Sequence, residues 1–329
     1  VVVQNNQFLD NQAGQFGGGL EFNGSNVQAL DNHFQGNAAG GILDFCGGGA
    51  IAATSGGPTL RGNTLAQNSA PYGGGMIFRN GGATATENVI ANNAATEQGG
   101  GVYVEMYSAP VLSANTITSN TAKTGGGVYV DQSASSQSIT LRYNRIGANR
   151  ATGGNGGGVY ISWRTYGELV GNAVTGNAAT GDGGGLWVSG LGYDGRFTLH
   201  SNAVVGNHAD GQGGGIYHGA LYNGVWRHTT LGQNTSSDGA AVTLGPGSNP
   251  AVNWEYSVIY SQTVGVNQTG SSGGALNHTL WSGVATRTQG AALTTADDLT
   301  GEPRLRADGY HLALGSAAID AAPDSTVAT

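Results

Sequence analysis

The stretch NTITSNTAKTGGGVYV, residues 115–130, decides how this chain folds. It places an asparagine pair, Asn115 and Asn120, around Ile117, and then a glycine run ahead of the apolar triplet Val128-Tyr129-Val130. The preceding stretch NVIANNAATEQGGGVYV, residues 88–104, has the same two features in the same order. Working outward, Asn-x-apolar-x-x-Asn recurs at Asn6–Asn11, Asn32–Asn37, Asn63–Asn68, Asn88–Asn93, Asn144–Asn149, Asn172–Asn177 and Asn202–Asn207, and a degenerate copy ends at Asn234. The glycine run with its triplet recurs from Gly17, Gly47, Gly73, Gly99, Gly125, Gly156, Gly183 and Gly213. Self-similarity at a near-fixed period marks a stacked-repeat architecture.

Each repeat also carries an apolar residue shortly before its first asparagine, as at Leu60, Leu112, Leu141, Leu169 and Leu199. The apolar segments are too short for helices, and their alternation has the period of a strand. One repeat therefore reads as one rung of three short strands separated by turns. The chain is expected to be an all-β solenoid, a right-handed parallel β-helix. Its regular rungs and degenerate last ones span 1–290, and a cap or tail spans 291–329.

Asparagine tolerates the left-handed backbone of a tight corner. Stacked in register, asparagines can hydrogen-bond up and down a column. Asn88, Asn93, Asn115, Asn120, Asn144, Asn149, Asn172, Asn177, Asn202 and Asn207 are expected to form such a ladder at one corner. Glycine would turn the second corner, since a positive φ costs it nothing. The third corner should bulge, because the extra residues of longer repeats fall at Gln132–Gln137 and Gly190–Gly195.

Composition narrows the function. The 329 residues include 61 glycines, and the net charge is −8, with 12 Lys and Arg against 20 Asp and Glu. Phosphate binding needs clustered cations, and Lys123 is the sole lysine, so a nucleic-acid role is not expected. The single cysteine, Cys46, allows no internal disulfide and reads as a small buried hydrophobe. No stretch reaches the roughly 20 apolar residues of a membrane-spanning helix. The sequence opens at Val1 inside a repeat with no visible signal peptide, and so reads as a fragment or a mature product.

Two family resemblances attach to these motifs. Phe8-Leu9-Asp10-Asn11 and Phe34-Gln35-Gly36-Asn37 are similar to the FxxN element of polymorphic outer-membrane protein repeats, and the glycine-apolar element is similar to its GGA[ILV] partner. Most rungs here depart from that pattern, with Val, Ile or Leu in place of Phe. The stretch GYHLALGSAAIDA, residues 309–321, resembles the (F/Y)HLxxGSPAIDAG ending of choice-of-anchor Q proteins, and Glu302-Pro303-Arg304-Leu305 resembles their DPLF strand. Ala317 stands where that pattern has proline, and Ala322 where it has glycine. These resemblances imply an exported bacterial surface protein, many of the first family being adhesins. Neither implies one fixed activity.

Two sets of residues are candidates for a site. The middle residue of each triplet should point outward, and that column reads Glu21, Ile51, Ile77, Tyr103, Tyr129, Tyr160, Trp187, Tyr217. The five consecutive aromatics would form a ladder about 19 Å long. It could be a packing device, a protein or filament contact, or a stacking surface for sugars. The second set is acidic. Asp182 and Asp238 precede glycine corners two rungs apart, and Asp210 is near. Such carboxylates could hold calcium or act as an acid–base pair, or could simply be solvated turn residues. His33, His200, His208, His218 and His228 share no rung position, and His218 takes an apolar slot, where a satisfied semi-buried histidine is expected rather than a ligand.

The expected function is a non-enzymatic extracellular or cell-surface structural or adhesive protein. Its partners would be further copies of itself as a filament or surface layer, another surface protein, or a glycan. It would need no cofactor, calcium being the one metal the aspartates suggest. The alternative is a carbohydrate-active enzyme, a polysaccharide lyase or glycoside hydrolase, or a glycan-binding module.

Overall fold

The computed structural model describes residues 1–24, 27–40, 46–105, 107–131, 138–162, 165–188, 197–219, 225–246, 252–270, 274–290 and 293–319. The expected bulges at Gln132–Gln137 and Gly190–Gly195 lie outside these residues. Short strands stack into rungs, and every pairing among the named strands is parallel.

One rung can be followed from Val111. Val111–Ser113 lies in a 12-stranded sheet that runs from Val2–Gln4 to Leu293–Ala296. The chain turns at Asn115 into Thr116–Thr118, turns again at Asn120 into the two-residue strand Thr121–Ala122, and passes the glycine corner into Val128–Val130. The two-residue strands form an eight-stranded sheet of their own. A rung therefore has a fourth short side in addition to the three strands read from sequence. In the last rungs this side and the glycine corner vanish. Val258–Gln268 runs unbroken, pairing at its start with Thr230–Gly232 and at its end with Ala240–Leu244.

The core is filled by one residue from each of two faces and two from the third. Leu112 and Ile117 point inward, as do Val128 and Val130 on either side of Tyr129, and all four are fully buried. Burial of such side chains contributes roughly 1.5–3 kcal/mol each, and the rungs above and below repeat the pattern.

From Asn32–Asn37 to Asn202–Asn207 both asparagines of each pair are buried, and they form two ladders, one at each end of the Asn-x-apolar strand. The Oδ1 of Asn120 accepts from the backbone N–H and the Nδ2 of Asn93, at 2.9 and 3.0 Å. Its Nδ2 donates to the Ile90 carbonyl at 2.9 Å and to Asn149 Oδ1 at 3.0 Å. Asn115 is linked in the same way to Asn88 and Asn144. The left-handed residue is not the asparagine expected from the motif but the one before it: Glu87, Asn92, Ala114, Ser119, Tyr143 and Ala148 have φ between 53° and 57°. Asparagine is placed here for its side chain, whose amide fits an inward corner with both a donor and an acceptor to satisfy.

The glycine corner contains two different constraints. Its first glycine is left-handed, as at Gly125 with φ 65°. The second is not left-handed but is crowded: a Cβ on Gly126 would lie 2.5 Å from the Arg150 carbonyl carbon. Near Gly47 the register differs by one residue from the motif. Gly48, Gly49 and Ala50 occupy the corner, and Ile51–Ala53 is the strand. Ala52, not Ile51, stands opposite Glu21 and Ile77.

His218 fills its apolar slot in full burial, edge-on to Trp226 at 5.1 Å, but neither ring nitrogen has a hydrogen-bond partner among the described residues. The expectation of a satisfied histidine fails, because the surrounding core is apolar. Desolvation pushes its pKa down to about 3. The folded state thus refuses a proton that the unfolded chain takes up below about 6.5, so stability falls as the pH drops from 6.5 toward 3. His218→Leu is expected to remove roughly 2 kcal/mol of the loss between pH 7 and pH 5. Urea unfolding of both proteins at the two pH values measures this, and parallel acid sensitivity would contradict it.

Candidate functional site

The aromatic column is continuous. Ring centroids are 5.5 Å apart for Tyr103–Tyr129, 4.5 Å for Tyr129–Tyr160, 4.2 Å for Tyr160–Trp187 and 6.3 Å for Trp187–Tyr217, with interplanar angles of 15° or less. It is not the exposed ladder expected from the alternation. Tyr103 is 1% exposed and Tyr129 7%, and Tyr160, Trp187 and Tyr217 are half-buried. The column points out of the main core but forms a second, smaller cluster with Ala52 and Ile77, against which Phe16 and Tyr72 pack. Tyr72 reaches from the strand before its glycine corner to within 5.3 Å of Tyr103. Burial raises the phenol pKa values, that of Tyr160 to about 12. Only the half-buried end, Tyr160 to Tyr217, could meet a partner.

The aspartates are taken up by the fold. Asp182 and Asp238 flank the Gln212–Gly213 peptide from the rungs on either side. Asp182 Oδ1 accepts from the Gln212 N–H at 2.8 Å, and Asp238 Oδ1 from that of Gly213 at 3.2 Å. Asp238 also accepts from Ser236, Thr243, Asn267 and the Ala240 N–H. Burial pushes its pKa up, but those donors outweigh burial and hold the carboxyl below its usual range. Asp210 is on another face. It meets His208 Nε2 at 3.0 Å, and His208 Nδ1 meets Thr235 Oγ1 at 2.8 Å. That is the order of a nucleophile triad, but all three side chains lie exposed on the outer face. Among the described residues no cluster of three or more His, Cys, Asp or Glu could hold a metal ion.

A different surface forms a groove that the repeat motifs do not reveal. The left-handed residues before the first asparagine column line up as Tyr143, Gly171, Ser201, His228, Tyr256 and His278, the last three before Thr229, Ser257 and Thr279. Tyr143 is 64% exposed, and its ring lies over Gly171, where a Cβ would come within 2.6 Å of it. His228 stacks on Tyr256 at 5.7 Å, and His278 lies tilted against Tyr256 at 4.7 Å. His200 meets His228 across 3.4 Å between ring nitrogens. Desolvation lowers both imidazole pKa values, helped at His200 by Arg227 and at His228 by His200 and then Arg227, while Glu255 opposes the shift at His228.

The tail builds the opposite wall. Leu299, Leu305, Tyr310, Leu312, Ala317 and Ala318 pack over Val205, Val258, Tyr260 and Leu280 on the outer side of the asparagine strands. Tyr260 donates to the Gly309 carbonyl at 2.6 Å. The turn before His311 is tied by Asp308, whose pKa its bonds to His311 bring down to about 2. Between the corner column and the tail lies a cavity of about 360 Å³, lined by Tyr143, Arg145, Ser201, His228, Tyr310 and His311 among others. A second hollow, of about 510 Å³, adjoins it across Tyr143 and is lined by Arg142, Glu168, His200 and Arg227. Finding this column in the sequence requires carrying the register past Asn202, where asparagine gives way to Thr and Ser.

Residues 42–203 match the family model described as right handed beta helix region. The fold is a right-handed parallel β-helix. Such β-helix regions occur in surface proteins and in polysaccharide-degrading enzymes, and are often extracellular. No curated protein and no solved structure matches the chain. Among the described residues of this β-helix, no helix is long and apolar enough to cross a membrane.

Proposed function

We propose that this β-helix is a non-enzymatic extracellular or cell-surface adhesive protein, and that its contact surface is the groove between the Tyr143–His228 corner and the tail. The exposed ring of Tyr143 carries the reading. It is a large aromatic side chain left uncovered beside a concave surface, on a scaffold whose other aromatic column is largely packed away. Exposed aromatics next to a cleft are typical anchors of recognition. The uses found for Asp182 and Asp238 support a structural role for those carboxylates, and the tail resemblance supports export.

Tyr143→Ala is expected to lower attachment of the purified chain to its target surface at least tenfold without changing the melting temperature. Retention on immobilised polysaccharides and bacterial surfaces, compared with wild type, measures this. Turnover of any polysaccharide that disappears in Asp182→Asn or Asp238→Asn would overturn the non-enzymatic reading.

A further inference from the structure

We infer that the groove takes a linear oligosaccharide bearing an anionic substituent, an inference that rests on the adhesive reading of the same site. The floor is made by the outward residues Arg145, Ala173, Ala203 and Thr230, which are register partners in successive rungs. Three rung steps of about 4.8 Å give a floor about 14 Å long. Small side chains in the middle leave the depth, and the two ends are polar.

The backbone of the floor argues against a peptide occupant. Its strands are interior to the sheet, each paired on both sides. An extended peptide would find no free N–H or C=O there and would bury its own main chain unpaired. A sugar chain needs something else: flat faces for its C–H surfaces and side-chain partners for its hydroxyls. The groove supplies the open Tyr143 ring and the ring of Tyr310, with the hydroxyls of Ser201 and Thr230 and the imidazoles of His228 and His311.

The charge follows from an imbalance among the arginines. Arg142 is paired with Glu168 at 2.8 Å and Arg227 with Glu255 at 2.7 Å. Arg145, exposed at the end of the floor, has no carboxylate partner among the described residues. A guanidinium left open beside an aromatic platform, on a chain of net charge −8, matches a carboxylate or sulfate on the ligand.

The test is calorimetric titration of the full chain with oligosaccharides of three kinds: neutral glucans, uronate oligomers and sulfated oligomers. Binding of at least one anionic set, with affinity at least tenfold above the neutral set and falling with added salt, is expected. Arg145→Gln should remove that preference but leave any neutral binding, and Tyr143→Ala should weaken both. Which anionic set binds distinguishes carboxylate from sulfate. Equal binding of neutral and anionic sugars, or anionic binding unchanged in Arg145→Gln, would overturn the charge assignment and leave the adhesive groove standing. Attachment to a protein-coated surface that depends on Tyr143, with no sugar bound, would overturn the saccharide assignment. If neither variant alters binding to anything, both readings fail. Both side chains are exposed, so unchanged melting temperatures will show that the variants fold.

Discussion

Gly126→Ala is expected to destabilise the chain by more than about 3 kcal/mol, whereas Gly206→Ala should cost only about 1–2 kcal/mol. Both add one methyl group to a corner glycine. At Gly126 that methyl would sit 2.5–2.6 Å from the carbonyl carbon, nitrogen and oxygen of Arg150, all backbone atoms of the next rung. Nothing flexible can give way, so the rungs would have to separate. At Gly206 nothing lies within 4 Å, and the penalty is only the left-handed φ of 66°. Denaturant unfolding of the two variants gives the comparison directly. Equal losses would mean that the close approach at the second glycine is easily relaxed.

Asn120→Ala is expected to cost roughly 3–5 kcal/mol, a large loss for a change with little effect on shape. The alanine removes two acceptor and two donor contacts. It leaves the Asn93 N–H, the Ile90 carbonyl and Asn149 Oδ1 each short of a bond inside the fold. Buried polar groups without partners are costly because water cannot replace what was lost. Asn120→Asp should be worse, since it keeps the shape but turns donors into acceptors and adds a buried charge. Thermal melts of wild type and both variants provide the check. A shift of less than 1 °C in Asn120→Ala would show that the ladder carries little stability.

The rung stack is readable in the sequence because its constraints recur once per turn. Asparagine, glycine and an inward apolar residue each occupy a column, so eight or more copies speak for one position. What depends on geometry across columns is less readable. Alternation correctly turns Tyr129 away from Val128 and Val130, but it cannot say that Tyr72 and the neighbouring rings cover that side. The left-handed residue is hidden because Glu87, Asn92, Ala114 and Tyr143 have no chemistry in common. The Ile51 column assignment slips because Gly47 extends the glycine run by one on its leading side. The groove is invisible in the repeats for a simpler reason: one wall belongs to the tail, which folds back over rungs far from it in sequence.

The asparagine ladders have a direction. In every step the earlier asparagine supplies the donors and its successor supplies the oxygen, from Asn68 through Asn93, Asn120, Asn149, Asn177 and Asn207 to Asn234. Gln262 closes this column, its longer side chain meeting the N–H and carbonyl of Asn234. A chain emerging from the ribosome therefore lays down each turn with open donors that only the following turn can close. Growth in that order brings an acceptor oxygen to the donors waiting in the column, and the column is closed when the glutamine arrives.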